Sequence, residues 1–355
     1  MEGFALELED ELMNFSDVSY KSFVKSESEI ITLFYDKFAD IPLLSRMDAV
    51  AETFIDEIET LLNRDLPEEE RIPLIEKFRK MYETMDFYVL YNRFLKKEGY
   101  QTLPRRPLEK RKLRYEDVYP VLYLKYRLSR QAERSNIKHL VIDEMQDYSR
   151  LQYLIIRRMF SCKMTILGDR AQTMADQQQD VLQFLPGIFG KDLRRIEMRK
   201  SYRNTVEIAS YAANLIGVTD LELFERHGIP VVERDVTDLE AALREAVDTL
   251  FPEEKTYETA AVIVPDEKTA ERAYLILREI LVEKDFDCEK RLLWLNRDSS
   301  SFKKGLTVTT FYLAKGLEFD QVFSIFPKDE KREMMMQAQY IAATRALHEL
   351  RVYHI

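Results

Sequence analysis

The sequence is poor in the residues on which several classes of protein depend. Only two of its 355 residues are cysteine, and Cys162 and Cys288 match no metal-binding spacing. This excludes a disulfide scaffold and favours a reducing compartment, so we predict a cytoplasmic protein. No apolar run approaches the roughly 20 residues that span a bilayer. The N-terminus lacks the basic and apolar regions of a secretory signal, so we expect no membrane partner.

Basic residues are also in deficit. The chain has 53 lysines and arginines against 63 acidic residues, which gives a formal net charge of -10. Proteins that bind nucleic acid through phosphate contacts usually present a basic surface, so any such contact here needs a local patch. The strongest basic cluster spans residues 105–114, Arg-Arg-Pro-Leu-Glu-Lys-Arg-Lys-Leu-Arg. It is either such a patch or a solvated linker before the next helix.

The chain is long enough for two or three domains, and its pattern changes along its length. Residues from about 5 to 100 have apolar residues at helical spacing. From residue 137 strands and helices alternate. Residues 137–142 form a β-branched, apolar run that suits a buried parallel strand. A helix over 151–160 and a second strand over 163–167 complete a βαβ unit, which predicts a parallel sheet.

The C-terminal part repeats this alternation and predicts a second α/β unit. Its strands are predicted over residues 259–264, 306–311, 321–325 and 350–354. Its helices are predicted near residues 201–216, 238–250, 267–283 and 333–347. We therefore expect two successive α/β units behind a helical segment.

Acidic residues follow the first strand of the βαβ unit. Residues 141–147 read Val-Ile-Asp-Glu-Met-Gln-Asp, and ligands bind at the carboxyl ends of strands in open α/β sheets. Two adjacent carboxylates there can divide a phosphoryl-transfer task, one holding Mg²⁺ and the other activating water. The alternative is an exposed acidic loop. The next strand ends in Leu-Gly-Asp-Arg-Ala-Gln, and we expect Asp169 and Gln172 to face the same crevice as Asp143.

These two blocks resemble motifs II and III of the UvrD, Rep and PcrA family of superfamily 1 helicases. Three further blocks resemble motifs IV, V and VI and lie, in the same order, at residues 200–204, 309–320 and 343–346. The resemblance implies an α/β fold of the RecA-like P-loop NTPase type with parallel sheets. It divides the chain into a helical, inserted or 1B-like segment over 1–115, the remainder of the first RecA-like domain over 116–195, and the second RecA-like domain over 196–355.

The resemblance also implies roles for residues in the first three blocks. Asp143 is expected to be the acid associated with Mg²⁺, and Glu144 the catalytic base. Gln172 is expected to link the γ-phosphate of ATP to motor movement. Tyr202 stands where the family stacks an aromatic ring on adenine, and a packing aromatic is the alternative for this residue.

The last two blocks are expected to bind the nucleotide from the second domain. Arg203 and Arg345 resemble the two arginines that reach the γ-phosphate, and guanidinium groups can neutralise charge on a transferring phosphoryl group. Surface ion pairs are the alternative for both. Glu318 resembles the acid that contacts the ribose. Gly316 belongs to the same nucleotide-binding block, although Lys315 and Gly316 could equally form a simple turn.

Within the superfamily, three blocks resemble the HelD branch, whose members bind RNA polymerase and recycle stalled complexes with ATP. These blocks are Tyr-Glu-Asp at 115–117, Asp-Tyr-Ser at 147–149 and Tyr-Leu-Ala-Lys-Gly at 312–316. The acidic net charge suits a partner that is a protein. The expected partners are therefore DNA, RNA polymerase or both.

The sequence departs from the family in two places. Hydrolysing members need a glycine-rich loop ending in Gly-Lys-Thr or Gly-Lys-Ser, whereas the only Gly-Lys here, at 190–191, precedes aspartate. We expect a fragment or a truncated reading frame whose missing N-terminal P-loop segment is a partner. ATP and Mg²⁺ should then bind only weakly, and the chain alone should be inactive. Residues 173–180 also lack the aromatics with which UvrD and Rep stack single-stranded DNA, which argues against processive unwinding.

Three functions remain open at this point. The first is the C-terminal portion of an ATP-dependent DNA helicase or translocase motor of the UvrD or HelD type. The second is a non-hydrolysing binding module that docks on RNA polymerase or a repair partner. The third is a nucleic-acid-binding domain with vestigial motifs.

Overall fold

The computed structural model describes residues 1–130, 136–169, 172, 181–198, 200–218, 222–284, 287–299, 303–328 and 333–355. The chain forms two compact units. Unit 1 comprises Met1–Asp143, Tyr148–Ile166 and Val181–Leu193, and unit 2 comprises Glu144–Asp147, Leu167–Asp180 and Arg194–Ile355. The division into three parts at residues 115 and 195 stays a prediction. The aromatic-poor stretch at 173–180 lies outside the described residues.

Unit 1 is mostly helical. Its helices are α1 Glu2–Glu11, α2 Glu27–Thr32, α3 Arg46–Leu62, α4 Glu68–Arg79, α5 Phe87–Lys97, α6 Tyr115–Leu128, α7 Arg150–Met159 and α8 Val181–Phe189. A π-helical turn occupies Leu33–Lys37, and 3₁₀ turns occupy Leu43–Ser45, Leu108–Lys110 and Gly190–Asp192. The helical prediction for residues 5–100 holds except at an antiparallel hairpin of β1 Val18–Tyr20 and β2 Phe23–Lys25.

Local sequence signals explain where several of these helices begin. Ser26 and Ser149 each accept a hydrogen bond from the backbone N–H three residues on, and Glu29 and Gln152 complete the two capping boxes. Such boxes satisfy amide groups that the first helical turn leaves without partners. The longest helix of this unit, α3, buries an apolar stripe against the other N-terminal helices.

The βαβ unit is present in unit 1. Strand β3, His139–Ile142, pairs in parallel with β4, Lys163–Ile166, and α7 connects them. The prediction of a buried strand is wrong for β3, because Val141 is 60% exposed and only Ile142 is buried. Burial on both faces requires layers on both sides of a sheet. Among the described residues, β3 and β4 form a sheet of only two strands.

Unit 2 is built on a six-stranded sheet in the order β7-β12-β11-β8-β10-β9, with every pair parallel. Its strands are β7 Val232–Asp235, β8 Thr259–Val264, β9 Leu292–Trp294, β10 Gly305–Thr310, β11 Phe319–Phe326 and β12 Ala346–His354. A short parallel pair joins β5 Lys200–Ser201 to β6 Glu222–Leu223. Its helices are α9 Val206–Leu215, α10 Leu239–Asp248, α11 Glu267–Glu283, α12 Cys288–Arg291 and α13 Glu333–Thr344.

Both faces of the large sheet are covered. In β8, Ala260, Val262 and Val264 pack with residues of α10 and α11. Ala261 and Ile263 pack on the opposite side with residues of α9 and α13, because successive side chains of a strand point to opposite faces. The predicted α/β class with parallel sheets is therefore confirmed. Within the described residues, no helix combines the length and apolar content that crossing a membrane requires.

Candidate functional site

The acidic segment predicted from the sequence is a tight turn that follows β3. Asp143 comes directly after the strand and is exposed. The next residue, Glu144, has a φ of 53°, a left-handed conformation that residues other than glycine seldom adopt. A 3₁₀ turn at Met145–Asp147 continues the chain. Backbone strain of this kind concentrates at functional sites, where the surrounding contacts maintain it.

Gln146 supplies two of those contacts. It is 9% exposed, and its Nε2 donates a hydrogen bond of 2.7 Å to Oε2 of Glu144. Its Oε1 accepts a hydrogen bond of 3.1 Å from the backbone N–H of Asp169. The side chain therefore fixes the Glu144 carboxylate and joins the acidic turn to the second polar block.

A second link lies beside the first. The backbone N–H of Met145 donates to the carbonyl of Leu167 at 2.8 Å. At Gly168, a Cβ atom would lie 2.4 Å from Oε1 of Gln146 and 2.6 Å from the Met145 nitrogen. These separations are far below ordinary contact distances, so only glycine allows the two segments to approach this closely.

Lys315 lies against the acidic turn from the loop after β10. Its Nζ lies 2.7 Å from Oδ2 of Asp147 and 3.3 Å from Oε2 of Glu144, and its side chain is 8% exposed. The same Nζ donates to the backbone carbonyl of Gln172 at 3.3 Å. Gly316 follows with a φ of 82°, as expected for a turn. The Lys315–Gly316 turn therefore lies beside the acidic turn at Glu144 and Asp147. Sequence reasoning did not include Lys315 among the site residues.

Arg345 is the largest fully buried side chain described, with 2% exposure. Its Nη2 donates to Oε1 of Gln172 at 3.0 Å and to Oγ1 of Thr344 at 3.1 Å, and its Nε donates to the Ile341 carbonyl at 3.2 Å. Burial and the nearby charge of Arg203 lower its pKa. Among the described residues, no carboxylate lies within ion-pair distance of this guanidinium. A buried cation with neutral partners fits an anionic ligand.

Gln172 also has an acidic neighbour. Its Nε2 donates to Oδ2 of Asp169 at 3.0 Å, and the hydroxyl of Tyr340 donates to the same oxygen at 3.0 Å. Burial and the Asp169 charge raise the pKa of Tyr340, which keeps its hydroxyl a donor. Tyr340 lies on α13, and no sequence motif pointed to it. Asp169 is thus joined both to Gln172 and, through Gln146, to Glu144; a crevice shared with Asp143 stays a prediction.

Arg203 and Glu318, both predicted to bind the nucleotide, form an ion pair with Nε and Oε1 2.6 Å apart. Their side chains are 46% and 41% exposed, so the surface ion-pair interpretation describes Arg203 in this structure. The neighbouring Asn204 is buried and donates to the carbonyls of Thr344 and Ala346. Asn204 thus fixes the Arg203 segment beside the Arg345 segment, a role that its sequence block alone did not indicate.

Tyr202 does not pack in a core. It is 61% exposed, and its ring centroid lies 5.6 Å from that of Phe224 at an angle of 36°. Nζ of Lys200 lies 5.4 Å from the Tyr202 centroid and 5.9 Å from the Phe224 centroid. The arrangement leaves an aromatic ring available for stacking, with Phe224 supporting it.

The donor set fits Mg²⁺ only in part. The described residues contain no group of three or more histidines, cysteines or acids placed to hold a metal ion. Mg²⁺ usually binds one or two carboxylates together with water and phosphate oxygens. The exposed carboxylate of Asp143 suits such a partial site, in which a nucleotide supplies the remaining oxygens.

Comparisons with known proteins agree with these motifs. A sequence profile described as "UvrD/REP helicase N-terminal domain" matches residues 7–174. The match supports a UvrD-like helicase. The matched residues make up slightly less than half of the chain. No protein with a curated description matches the chain.

Solved structures of helicases are also similar to this chain. A C-terminal domain of a possible DNA helicase from Lactobacillus plantarum WCFS1 shares 23% identity and a TM-score of 0.34, over 44% of this chain and 88% of that domain. The PRRSV helicase shares 16% identity and a TM-score of 0.33, over 61% of this chain and 35% of its own. The arterivirus nonstructural protein 10 helicase shares 14% identity and a TM-score of 0.33, over 75% of this chain and 50% of its own.

Proposed function

We propose that this chain is the C-terminal portion of an ATP-dependent DNA helicase or translocase motor of the UvrD type. The observation that carries the proposal is one connected set of contacts within unit 2. Lys315 joins the acidic turn at Glu144, and Arg345 joins Gln172 from the last motif block. Residues separated by about half of the chain thus meet, and this supports the proposal that a phosphate group binds beside them.

In this proposal each side chain has a role that suits its surroundings. ATP with Mg²⁺ supplies the phosphoryl group and the metal charge. Glu144, held by Gln146, would orient and deprotonate the attacking water, and Asp143 would hold the metal. Arg345 neutralises charge on the phosphate oxygens, since its guanidinium is already buried beside Gln172.

The nucleoside would bind beside the same loop. The exposed ring of Tyr202 offers a stacking surface for adenine, and Glu318 lies close enough to Arg203 to pair with it. A bound phosphate would compete with Glu318 for Arg203. That exchange would free the Glu318 carboxylate to accept a hydrogen bond from the ribose, with Gly316 giving backbone access.

The phosphate-binding loop is absent from the sequence, and we propose that a second polypeptide segment supplies it. The test is ATP hydrolysis by the full chain, alone and with a polypeptide that carries the loop and its preceding strand. Hydrolysis is expected only with the added segment and should be lost in Glu144→Gln. Glu258→Gln is a matched control, because Glu258 is exposed and pairs only with Lys304 in a salt bridge.

Hydrolysis by the chain alone that Glu144→Gln abolishes would contradict the proposal of a supplied loop, because the loop would then be unnecessary. The motor proposal itself would be contradicted by a second result, the absence of hydrolysis despite association with the added segment. That second result would favour the non-hydrolysing binding module.

We further propose a cytoplasmic protein of the HelD branch, with RNA polymerase as the partner of the complete protein. The motif blocks shared with that branch and the net charge of -10 support it. Co-purification of the complete protein with core RNA polymerase at low salt is the expected result. Failure to bind under those conditions would leave DNA as the partner to test.

A further inference from the structure

A cavity with a cationic lining lies in unit 1. Its volume is about 320 Å³, near the lower limit of small-molecule pockets. It is lined by residues 101–104 and by three exposed basic residues, Arg106, Lys112 and Arg114. No lining residue carries a carboxylate, although the whole chain has a net charge of -10.

The walls of this cavity are fixed by contacts with α5. The backbone N–H of Leu103 donates to Oδ1 of Asn92 at 2.6 Å, and the hydroxyl of Tyr88 donates to the Pro104 carbonyl at 2.8 Å. The cavity wall at 101–104 is therefore anchored before any ligand binds.

Within the basic cluster at residues 105–114, Arg111 makes contacts that hold the loop in place. Its Nη1 lies 2.6 Å from Oδ2 of Asp86, its guanidinium lies 4.8 Å from the Tyr88 ring centroid, and its Nε donates to the Arg106 carbonyl at 2.9 Å. Arg111 thus acts as a structural cation that shapes the loop. A solvated linker would not need such a set of contacts.

The cations that line the cavity differ from Arg111 in their partners. Nε of Arg114 lies 2.9 Å from Oδ2 of the buried Asp117 and 3.4 Å from Oε1 of Glu116, so two carboxylates orient this side chain and neutralise its charge. Arg106 and Lys112 have no acidic partner in the part of the chain that the structure describes. Arg106 and Lys112 therefore carry the uncompensated positive charge of the cavity lining, and an anionic ligand would neutralise it.

We propose that this cavity is a phosphate-binding site. Guanidinium groups match the oxygens of phosphate in a fork geometry, and lysine adds a point charge. The inference goes beyond the proposed ATPase function, since all of the lining residues belong to unit 1. The phosphate could belong to a nucleic-acid strand or to a free small phosphate, and the exposed rings of Tyr100 and Tyr115 on the same segment offer stacking surfaces for bases.

The test compares two double variants of the full chain. Arg106→Gln/Lys112→Gln removes the two unpaired cavity charges. Arg105→Gln/Lys110→Gln removes the same charge from the same segment but outside the cavity. Binding of pyrophosphate is measured by calorimetry and that of a labelled oligo-dT strand by anisotropy, each over a range of salt concentrations. Melting curves establish that both variants fold.

The cavity variant should bind about tenfold more weakly, with a salt slope smaller by about 1 to 2, while the control changes affinity by less than about twofold. Competition between pyrophosphate and oligo-dT would assign the phosphate to nucleic acid, and pyrophosphate binding alone would assign it to a small phosphate. No binding by either probe, or equal weakening in both double variants, would overturn the proposal.

Discussion

Replacement of Gly168 by alanine would place a methyl group between the acidic turn and the segment that follows β4. The new Cβ would lie 2.4 Å from Oε1 of Gln146, 2.5 Å from Cγ of Met145 and 2.6 Å from the Met145 nitrogen. The first two atoms belong to side chains that can rotate. The third belongs to the backbone, so relief requires the two segments to separate.

The energetic consequence follows from those contacts. Overpacking of a close-fitting region costs about 1–3 kcal/mol. Separation would also weaken the hydrogen bonds from Met145 to Leu167 and from Asp169 to Gln146. We therefore expect Gly168→Ala to lower the free energy of unfolding of unit 2 by about 1–3 kcal/mol, or roughly 2–4 °C in Tm per kcal/mol for a domain of this class.

The chain provides its own reporter for this measurement. Trp294 is the only tryptophan, lies in unit 2 and stacks on Tyr274 with ring centroids 5.8 Å apart. Urea unfolding followed by tryptophan fluorescence therefore reports on the unit that contains Gly168. The midpoint should move to lower urea, with the slope of the transition unchanged.

Gly187→Ala is the matched control. Gly187 lies within α8, and a Cβ there meets no atom within 4 Å. Because glycine is unfavourable inside a helix, alanine should stabilise unit 1 by about 0.5–1 kcal/mol and leave the fluorescence transition in place. If Gly168→Ala left the midpoint unchanged, or raised it, the close approach of the two segments would be refuted.

Two further predictions concern charged side chains of unit 2. Lys315→Met should destabilise the unit by about 1–2 kcal/mol, because it leaves Asp147 and Glu144 without their shared cation, whereas Lys304→Met at an exposed pair should cost under about 0.5 kcal/mol in the same urea titration. Burial acts to raise the pKa of Glu207. Hydrogen bonds from backbone groups and His227 outweigh burial and lower this pKa to about 2. The ionised Glu207 carboxylate therefore makes its full contribution to the free energy of unfolding above the unfolded pKa of about 4.3. This contribution is lost as pH falls through about 2. Thermal unfolding across this window should show a shallower loss of stability in Glu207→Gln, and an unchanged profile would contradict the assignment.

Elements with strong local signals were predictable from the sequence. Strand β8 and helix α11 occupy the predicted ranges. The strand is a continuous apolar run, and the helix begins with Asp266, whose side chain accepts from the Thr269 N–H at 2.9 Å. Signals of this kind act within a few residues, so they survive without knowledge of the fold.

Strand β7 shows the limit of such signals. Its sequence, Val-Glu-Arg-Asp, is largely polar and exposed, and it joins the sheet at an edge beside β12. An edge strand with one neighbour does not need an apolar pattern. The exposure of Val141 in β3 is the converse case, because an apolar strand is buried only if other layers cover it.

The residues of the candidate site also fall into two groups, those that the sequence indicated and those that only the tertiary contacts revealed. The resemblance of the motif blocks to those of the UvrD, Rep and PcrA family singled out Glu144, Gln172 and Arg345. The contacts of Lys315 with Asp147 and of Tyr340 with Asp169 join residues 168 and 171 positions apart. No local pattern encodes such pairs, since they depend on how parallel strands and their loops come together.

The sequence by itself determined the residue types of the proposed chemistry, the α/β alternation and the starts of helices such as α10 and α11, because these depend on side-chain chemistry and short-range periodicity. The tertiary structure decided that Arg345 is buried with no carboxylate of the described residues in ion-pair contact, that Lys315 neutralises the acidic turn and that Gly168 must lack a side chain. These properties arise from burial and close approach between distant segments, which exist only after the chain has folded.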